Sequence, residues 1–346
     1  MHYNDLTTSD PRAIIIAEAG INHDGDIEKA LKMIDVAAEA GADYVKFQSF
    51  QAQKLVTPDA LTSSYIKEGS NEGESFEDLL RRLQLSPEDH HTLKEYCDKQ
   101  GIKFLSTAFD EESFEFLLQF DPGVVKVASG DLTNLPFLET MAKAGLPMIV
   151  STGMASLGEI EDAVKTIENQ GNNQIVLLHC ISWYPAAINT TNLRYMKTLE
   201  MAFPYPVGYS DHTLGITMPI AARAMGAKVL EKHFTLDKTD FGPDHAASIE
   251  PDELIAMVRS VREVEEGLGT SSRQFGDKEI GQRDVHRRSI VMANDLDIGT
   301  VIDKDHLAIK RPGTGIPPKD MDKVIGKKIT RAYKKDELLD FNDLAS

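Results

Sequence analysis

Residues 13–50 read AIIIAEAGINHDGDIEKALKMIDVAAEAGADYVKFQSF, and this stretch decides the fold prediction. Two short apolar runs, 13–20 and 43–50, flank the segment 27–41, where apolar residues recur every three or four positions up to Gly41. Short β-branched runs are typical of buried strands, and the longer pattern is typical of a helix packed on a sheet. The stretch therefore predicts one strand–helix–strand unit of a parallel sheet.

Strand-like runs of the same kind continue along the chain. They occupy 103–110, 124–131, 147–154, 175–182, 206–212 and 229–235. Helices are predicted between them, including 86–101, where Ser86 can cap and Pro87 can take the first helical position, and 251–269. Eight strands alternating with helices predict an α/β fold, a (β/α)8 TIM barrel over residues 1–272.

The alternation of strand-like and helix-like segments ends after the predicted barrel. Residues 273–287 are polar and lack sustained periodicity, which predicts a linker. Residues 288–346 contain the short strand-like runs SIVMA and HLAIK, and a loop rich in Gly and Pro near 312–318. We therefore expect a second, small β-rich domain at 288–346.

Composition limits the class of protein. The 346-residue chain has a formal net charge of -18, which argues against nucleic acid or an anionic membrane as a partner. No stretch resembles a membrane span or an export signal, so we expect a cytoplasmic protein. Cys97 and Cys180 cannot form a disulfide framework and lack zinc-site spacing, so both are expected to be reduced and structural.

Polar residues gather at the carboxyl ends of the predicted strands, the ends that form the active-site mouth of a TIM barrel. In chain order they are Glu18, Lys46, Gln48, Ser106, Thr107, Lys126, Ser129, Ser151, Thr152, His179, Ser210, Asp211, His212, Glu231 and His233. Residues two apart on a strand, such as Lys46 and Gln48, project from the same face. The pattern predicts a polar pocket.

His212 and His233 end neighbouring strands, so their imidazoles could share a divalent ion that acts as a Lewis acid. The alternative is that one histidine only hydrogen-bonds Glu231 or Asp211. Lys46 and Lys126 could bracket a phosphate group, with Thr107, Ser129 and Ser151 as hydrogen-bond donors. A buried lysine could equally form a Schiff base, as in class I aldolases. Lys232 alternates away from Glu231 and His233, so we expect it to face the helices.

Several blocks identify a known family. IAEAGINHDGD, GADYVKFQSF, LSTAFD, KVASGDLTNLP, STGMAS, GYSDHTLGI, LEKHFTLD and GPDHAASIEP resemble, in order and spacing, the sialic acid synthase family, which includes the N-acetylneuraminate, legionaminate and pseudaminate synthases. RSIVMANDLDIGTVI with KRPGTGI resembles the C-terminal antifreeze-protein-like (SAF) domain of that family. The resemblance covers nearly the whole chain.

The resemblance implies a metal-dependent condensation of phosphoenolpyruvate with an N-acetylhexosamine-type aldehyde, with release of phosphate by C–O cleavage. It implies that Mn²⁺ is the cofactor, with Mg²⁺ or Co²⁺ as alternatives, and that the protein is a domain-swapped homodimer. The implied roles are His212 and His233 as metal ligands; Lys46, Gln48, Thr107, Lys126, Ser129, Ser151, Tyr184, Ser210, Asp244 and Arg311 in substrate binding; and Glu18, Glu231 and Arg311 in catalysis. Arg311 would enter the barrel of the partner subunit.

The acceptor sugar stays open between N-acetylmannosamine and a 2,4-diacetamido-2,4,6-trideoxyhexose. Trp183 and the segment TDFGPDH (239–245) depart from the commoner family pattern beside the expected sugar pocket. A bulky aromatic side chain there would favour the more apolar trideoxy sugar. Three rival functions remain at this point: a Schiff-base aldolase, a phosphoenolpyruvate aldol synthase that acts on a sugar phosphate, and a non-catalytic carbohydrate-binding protein.

Overall fold

We describe the protein from a computed structural model, which covers residues 3–7, 12–57, 60, 62 and 64–345. The chain divides into two compact units, Met1–Gly269 and Thr270–Ser346. Among the described residues, no helix is both long enough and apolar enough to cross a membrane.

The first unit is a closed barrel of eight parallel strands in sequential order, which confirms the predicted fold class. The strands are β1 Ile14–Gly20, β2 Tyr44–Ser49, β3 Lys103–Ala108, β4 Val125–Val127, β5 Met148–Ser151, β6 Ile175–Cys180, β7 Val207–Asp211 and β8 Val229–His233. Strand β1 pairs with both β2 and β8, which closes the barrel.

Helices alternate with these strands and surround the barrel. They are α1 Tyr3–Leu6, α2 Ile27–Glu39, α3 Ala52–Leu55, α4 Ser64–Glu68, α5 Phe76–Leu83, α6 Pro87–Gln100, α7 Glu111–Leu118, α8 Leu135–Ala142, α9 Leu157–Glu168, α10 Tyr195–Ala202, α11 Thr217–Ala224 and α12 Pro251–Leu268. The connection between β2 and α6 is the longest of these connections, and it contains α3, α4 and α5.

The predicted signals at the ends of α6 are confirmed. Ser86 caps the helix in a reciprocal pair of hydrogen bonds with Asp89, Pro87 takes the first turn, and Gly101 ends the helix with a φ of 75°. This left-handed conformation favours glycine because it has no Cβ. Local sequence therefore fixes where the helix begins and ends, and α6 packs against β3.

The barrel interior has two layers that follow from the two-residue period of the strands. The lower layer is apolar and includes Ile16, Tyr44, Leu105, Ile149, Leu178 and Val229. Two positions further along the same strands stand Glu18, Lys46, Thr107, Ser151, Cys180 and Glu231. Strand alternation thus places a layer of mainly polar side chains directly above a packed apolar floor.

The second unit contains helix α13 Asp277–His286, strands β9 Ser289–Met292, β10 Leu307–Lys310, β11 Lys328–Ile329 and β12 Leu344–Ala345, and the short helix α14 Met321–Val324. The strands form two small antiparallel pairs over a core that includes Ile290, Met292, Ile302 and Tyr333.

The segment 273–287, predicted as an irregular linker, contains the ten-residue helix α13. The backbone N–H of Gly313 donates to the carbonyl of Asp284, so the helix packs on the loop after β10. Acidic residues in the first turn and basic residues in the last turn complement the helix dipole. Contacts within the second unit therefore stabilise a helix that sequence periodicity does not reveal.

Candidate active site

A cavity of about 420 Å³ opens at the carboxyl ends of the barrel strands. The structure brings to it every residue of the first unit to which the family resemblance gave a role: Glu18, Lys46, Gln48, Thr107, Lys126, Ser129, Ser151, Tyr184, Ser210, His212, Glu231, His233 and Asp244. All of these residues line the same cavity, as the predicted pocket requires.

Two lysines and two glutamates form a buried network on the cavity floor. Lys46 Nζ lies 2.8 Å from Glu18 Oε2 and 3.6 Å from Glu231 Oε2. Lys126 Nζ lies 3.6 Å from Glu231 Oε1, so Glu231 stands between the two ammonium groups. Each of these side chains is nearly fully buried, and each charge depends on its partners for compensation.

The network gives the carboxyl groups of Glu18 and Glu231 different pKa values. Burial raises the pKa of Glu18 to about 7, although the charge of Lys46 opposes that effect. Burial would also raise the pKa of Glu231, but Lys126 and Lys46 together lower it well below its usual value. Glu18 therefore changes protonation state near neutral pH while Glu231 stays ionised, which is the division of roles expected of a proton-transfer residue and a fixed charge.

Hydroxyl groups surround the lysines. Lys46 Nζ donates to Thr107 Oγ1 at 3.0 Å, and Lys126 Nζ donates to Ser151 Oγ at 2.9 Å. Ser210 Oγ donates to Glu231 Oε1 at 2.9 Å. Two ammonium groups with neighbouring hydroxyls form a site for a small anion such as a phosphate ester.

The two predicted metal ligands face one another across the mouth. The imidazole centroids of His212 and His233 are 5.3 Å apart. His212 Nδ1 donates to the carbonyl of Ile181 at 2.7 Å, so Nε2 is the nitrogen available to a metal ion when the ring is neutral. His233 Nδ1 is buried without a hydrogen bond, 3.7 Å from Asp244 Oδ2.

This donor set fits a divalent cation. Burial lowers the pKa of His233 well below its usual value, so its imidazole is neutral as a ligand must be. Burial also raises the pKa of Asp244 to about 6. Imidazole nitrogens with a nearby carboxylate suit Mn²⁺, Co²⁺ or Zn²⁺ better than Mg²⁺, which prefers oxygen ligands.

A second group of ligand-type residues lies outside the cavity. Asp24, Asp240 and His245 hold their polar atoms within 4.8 Å of one another. Lys29 Nζ bonds to both carboxylates, and His245 Nε2 lies 3.1 Å from Asp24 Oδ1. The ammonium group already supplies the positive charge, so we assign the group as an ion-pair network that joins α2 to the loop after β8.

Four polar residues that the sequence placed at the mouth face the other way. Ser106 Oγ bonds to Ser49 Oγ, Thr152 Oγ1 donates to the carbonyl of Leu178, and His179 Nε2 donates to the carbonyl of Thr191. Asp211 pairs with Lys232, so it does not bond to either predicted metal ligand. The expectation that these four line the pocket is wrong because strand alternation turns them toward the helices. The same alternation confirms that Lys232 faces outward.

Trp183 does not border the cavity either. Its side chain is 64 % exposed, while the next residue, Tyr184, lines the cavity with its ring centroid 4.0 Å from that of His212. The expectation that the Trp183 indole shapes the sugar pocket is therefore wrong. An indole packed into the pocket would have lost most of its exposure to solvent.

Sequence reasoning missed two sets of cavity residues. Cys180, expected to be only structural, lines the cavity with Sγ 3.8 Å from His212 Nδ1, and it is a free thiol. The alternation that turns His179 outward could have placed Cys180 inward. The second set is apolar and comes mainly from the connection after β2: Ile21, Leu55, Ile66, Phe76, Leu79, Leu80, Leu83 and Phe109. These residues are apolar, so in the sequence they indicate only core packing.

Arg311 belongs to the second unit. It follows β10 and precedes Pro312 at the start of the Gly- and Pro-rich loop, and its side chain is exposed. Its assignment to the barrel of a partner subunit remains a prediction.

Comparisons with known proteins identify relatives of both units of the chain. The NeuB family model matches residues 33–273, and the SAF domain model matches residues 287–345. An N,N'-diacetyllegionaminic acid synthase of Legionella pneumophila is 44 % identical over 320 residues, covering 91 % of this chain and 90 % of that protein. A synthase of the same name from Campylobacter jejuni is 42 % identical over 330 residues, covering 95 % and 99 %.

A solved structure also matches. The N-acetylneuraminic acid (sialic acid) synthetase of Leptospira borgpetersenii, crystallised with citrate, is 36 % identical with a TM-score of 0.69. The match covers 78 % of this chain and 90 % of that one. Sequence and structure therefore lead to the same group of synthases.

Proposed function

This chain belongs to the NeuB family, and we propose that it is a nonulosonic acid synthase that condenses phosphoenolpyruvate with an acetamido-hexose aldehyde and releases phosphate. The proposal is supported by the names of its relatives, which are synthases of diacetyllegionaminic and N-acetylneuraminic acids. The reaction itself is inferred from the chemistry of the cavity.

The proposal rests on one observation: two buried lysines and two histidine imidazoles line the same cavity. Lys46 and Lys126 stand on the cavity floor with hydroxyl partners, and His212 and His233 face each other at the same mouth. Phosphoenolpyruvate needs positive charge for its phosphate and carboxylate, and an aldehyde needs an electrophilic partner for its oxygen. In this cavity the lysines would supply the positive charge, and a cation held by the imidazoles would supply the electrophile.

His212 and His233 would hold the divalent cation, with Asp244 beside them, and we propose Mn²⁺. When bound, the cation would supply Lewis-acid polarisation of the aldehyde oxygen. Lys46 and Lys126 would hold the phosphate and carboxylate of phosphoenolpyruvate, with Thr107, Ser129, Ser151 and Ser210 as hydrogen-bonding groups.

Glu18 would act on the water that adds to C2 of the phosphoenolpyruvate-derived part. Bond formation between C3 of phosphoenolpyruvate and the aldehyde carbon leaves positive character at C2 and negative charge on the former aldehyde oxygen. The ionised Glu231, 3.6 Å from both lysines that would hold phosphoenolpyruvate, would offset the positive character. A carboxylate with a pKa of about 7 can take a proton from the water that adds to C2, and the former aldehyde oxygen would accept that proton to become a hydroxyl. The C–O bond to phosphate then breaks, the remaining proton of the new C2 hydroxyl goes to the departing phosphate, and the α-keto acid is formed.

Arg311 would complete the site in a homodimer. We propose that the second unit of one subunit carries Arg311 to the barrel of its partner, where it adds positive charge for the substrates. The exposed position of Arg311 on a loop held by α13 supports this role.

The decisive experiment measures phosphate release from phosphoenolpyruvate by metal-stripped protein, with each candidate aminosugar and with Mn²⁺ added or withheld. We expect release only when both sugar and Mn²⁺ are present. Phosphoenolpyruvate labelled with ¹⁸O at the bridging oxygen should deliver the label to phosphate, because the C–O bond breaks. Label retained in the sugar acid, or release without any sugar, would contradict the proposed chemistry.

A Schiff-base aldolase is the second candidate, and one observation favours it. Burial lowers the pKa of Lys126, which is the property a Schiff-base lysine requires. Borohydride reduction in the presence of substrate should trap a covalent adduct on Lys126 in that case, and chelators should have no effect. Activity lost to a chelator and unaffected by borohydride would leave only the synthase.

A further inference from the structure

Asn22 lies in the turn that follows β1, and it is not one of the residues that line the cavity. Its backbone N–H donates to the carbonyl of Ala19 at 2.9 Å, and Gly20 takes a φ of 55°, so the chain turns directly after the strand. A Cβ at Gly20 would lie 3.4 Å from both Glu18 Oε1 and the imidazole of His233. The turn that carries Asn22 therefore lies against the cavity side chains of β1 and β8.

The side-chain amide of Asn22 is buried, and both of its hydrogens have partners. Asn22 Nδ2 donates to the backbone carbonyl of Phe234 at 2.8 Å and to Ser248 Oγ at 2.9 Å. Ser248 Oγ in turn donates to the backbone carbonyl of Asp244 at 2.6 Å. These partners fix the orientation of the amide, because a carbonyl can only accept and the hydroxyl hydrogen of Ser248 is used on Asp244.

These hydrogen bonds end beside an imidazole and a carboxylate of the candidate metal site. Phe234 follows His233 directly, and its backbone N–H donates to the carbonyl of Glu18 at 2.9 Å. His233 Nδ1 lies 3.7 Å from Asp244 Oδ2. One amide group therefore ties the end of β8 to the turn that carries Asp244.

The turn before Asp244 is also held from the connection after β2. Gly69 is buried against the backbone of Gly242 and Pro243, and a Cβ at Gly69 would clash with both. This contact is steric, so it limits how closely the turn can approach but gives it no direction. The Asn22–Ser248 chain supplies a direction, because a hydrogen bond weakens steeply when its donor and acceptor are misaligned.

We propose that Asn22 is a positioning residue that sets the separation of the His233 imidazole and the Asp244 carboxylate, and so prepares the site that the divalent cation would occupy. The inference rests on the proposed function, because it concerns the cation of that same reaction. Removing a partner that orients a metal ligand typically weakens metal binding by about 10–100-fold. Lys46 and Lys126 stand on β2 and β4, so the phosphoenolpyruvate site should not depend on Asn22.

The test compares Mn²⁺ binding and phosphoenolpyruvate binding in Asn22→Ala, Ser248→Ala and the double variant. Each single variant should raise the Mn²⁺ dissociation constant, measured by electron paramagnetic resonance of free Mn²⁺, by roughly tenfold or more. Asn22→Ala should have the larger effect because it removes two hydrogen bonds to the site. The double variant should bind Mn²⁺ about as weakly as Asn22→Ala, since both residues belong to one chain of hydrogen bonds. Calorimetry without metal should show unchanged phosphoenolpyruvate binding in all three.

Asn172→Ala is the matched control. Asn172 is also buried, and its Nδ2 donates to the carbonyl of Leu146 at 2.8 Å. It precedes β6, at the opposite end of the barrel from the cavity. This variant should lower the temperature of thermal unfolding without changing Mn²⁺ binding, which separates positioning from a loss of stability.

The outcomes separate this inference from the function on which it rests. Wild-type affinity for Mn²⁺ in the folded Asn22→Ala and Ser248→Ala variants would overturn the inference while leaving the synthase intact, and Ser248→Ala decides alone if Asn22→Ala does not fold. Equal weakening of Mn²⁺ and phosphoenolpyruvate binding, or the same loss of Mn²⁺ binding in Asn172→Ala, would reduce Asn22 to a structural role and overturn it as well. Absence of Mn²⁺ binding by the wild-type protein would instead remove the cation from the proposed function, and this inference with it.

Discussion

Asp211 and Lys232 form a buried ion pair on the outer face of the barrel, directly behind the two imidazoles of the cavity. Lys232 Nζ lies 2.6 Å from Asp211 Oδ2, and neither side chain has any solvent exposure. The two residues are paired in the register of β7 and β8. Asp211 precedes His212 and Lys232 precedes His233, so the pair ties together the two strand ends that hold the predicted metal ligands.

Replacing Lys232 with Met should lower the free energy of unfolding by about 3–5 kcal/mol, because the buried carboxylate of Asp211 keeps its hydrogen bonds to Tyr209 and Thr213 but loses its only charged partner among the described residues. The double variant Asp211→Asn/Lys232→Met should lose less than the sum of the single changes. Denaturant unfolding measures both effects. Lys143→Met, which removes an exposed pair with Glu139, should cost less than about 1 kcal/mol. Equal costs for Lys232 and Lys143 would contradict the assignment.

The pH dependence of kcat should report the ionisation of Glu18. The pKa of Glu18 is about 7, and only its ionised form can accept a proton, so the rate should fall as pH decreases through about 7. Glu18→Gln should lower kcat by about 10²–10⁴-fold and abolish this acidic limb. A variant with full turnover, or one that keeps the limb, would remove Glu18 from its proposed role.

Lys46→Met should weaken binding of phosphoenolpyruvate. Loss of one charged hydrogen-bonding partner is expected to raise its dissociation constant roughly 10–100-fold, with a smaller change for the sugar. Titration calorimetry with phosphoenolpyruvate alone measures this directly. Lys103→Met is the matched control, since Lys103 is exposed at the start of β3, the opposite end from the cavity. An equal loss of sugar binding would argue against a phosphate site.

His212→Ala and His233→Ala should each lose Mn²⁺ binding by at least about 100-fold, a loss larger than that from removing an outer-shell partner. Electron paramagnetic resonance of free Mn²⁺ gives the binding constant without any activity measurement. The exposed His286 supplies the control variant His286→Ala. Unchanged Mn²⁺ binding in both cavity variants would mean that the imidazoles only pack or hydrogen-bond.

Arg311→Ala should lower turnover strongly, and subunit mixing tests whether it acts across a dimer. Arg311→Ala and Glu18→Gln subunits, each poorly active alone, would form heterodimers in which one barrel has Glu18 and receives Arg311 from the other subunit. Statistical mixing of a two-fold dimer should restore about one quarter of wild-type activity. No recovery, with heterodimers verified by mass spectrometry, would place Arg311 in the site of its own chain.

The strand pattern allowed much of the site to be predicted. Lys46, Lys126 and Glu231 were found because a charged residue inside a β-branched run needs a polar environment, and the barrel brings strand ends together. The sequence misplaces Ser106 and His179 because polar side chains can lie on either face of a strand, each satisfied by a buried hydrogen bond. Their orientation depends on where each strand begins, which the sequence leaves uncertain by a residue.

The parts that escaped prediction depend on tertiary contacts. Helix α13 contains only two large apolar residues, Ile280 and Val285, so periodicity gives no signal, and contacts with the loop after β10 stabilise the helix. Leu79 and Leu83 look like ordinary core residues in sequence, and only the folded connection shows that their neighbours face the cavity. An aromatic side chain is conspicuous in the sequence, so the sequence points to Trp183, which is exposed and lies outside the cavity.

The packing of Gly69 on Gly242 and Pro243 has a consequence for engineering this enzyme. Loops of a TIM barrel are often exchanged one at a time to alter substrate range, on the assumption that each is an independent module. Here the connection after β2 and the turn before Asp244 fit each other without room for a single added carbon. A graft that replaces one without its counterpart should misplace both, so new acceptor ranges require transplanting the two segments as a matched set.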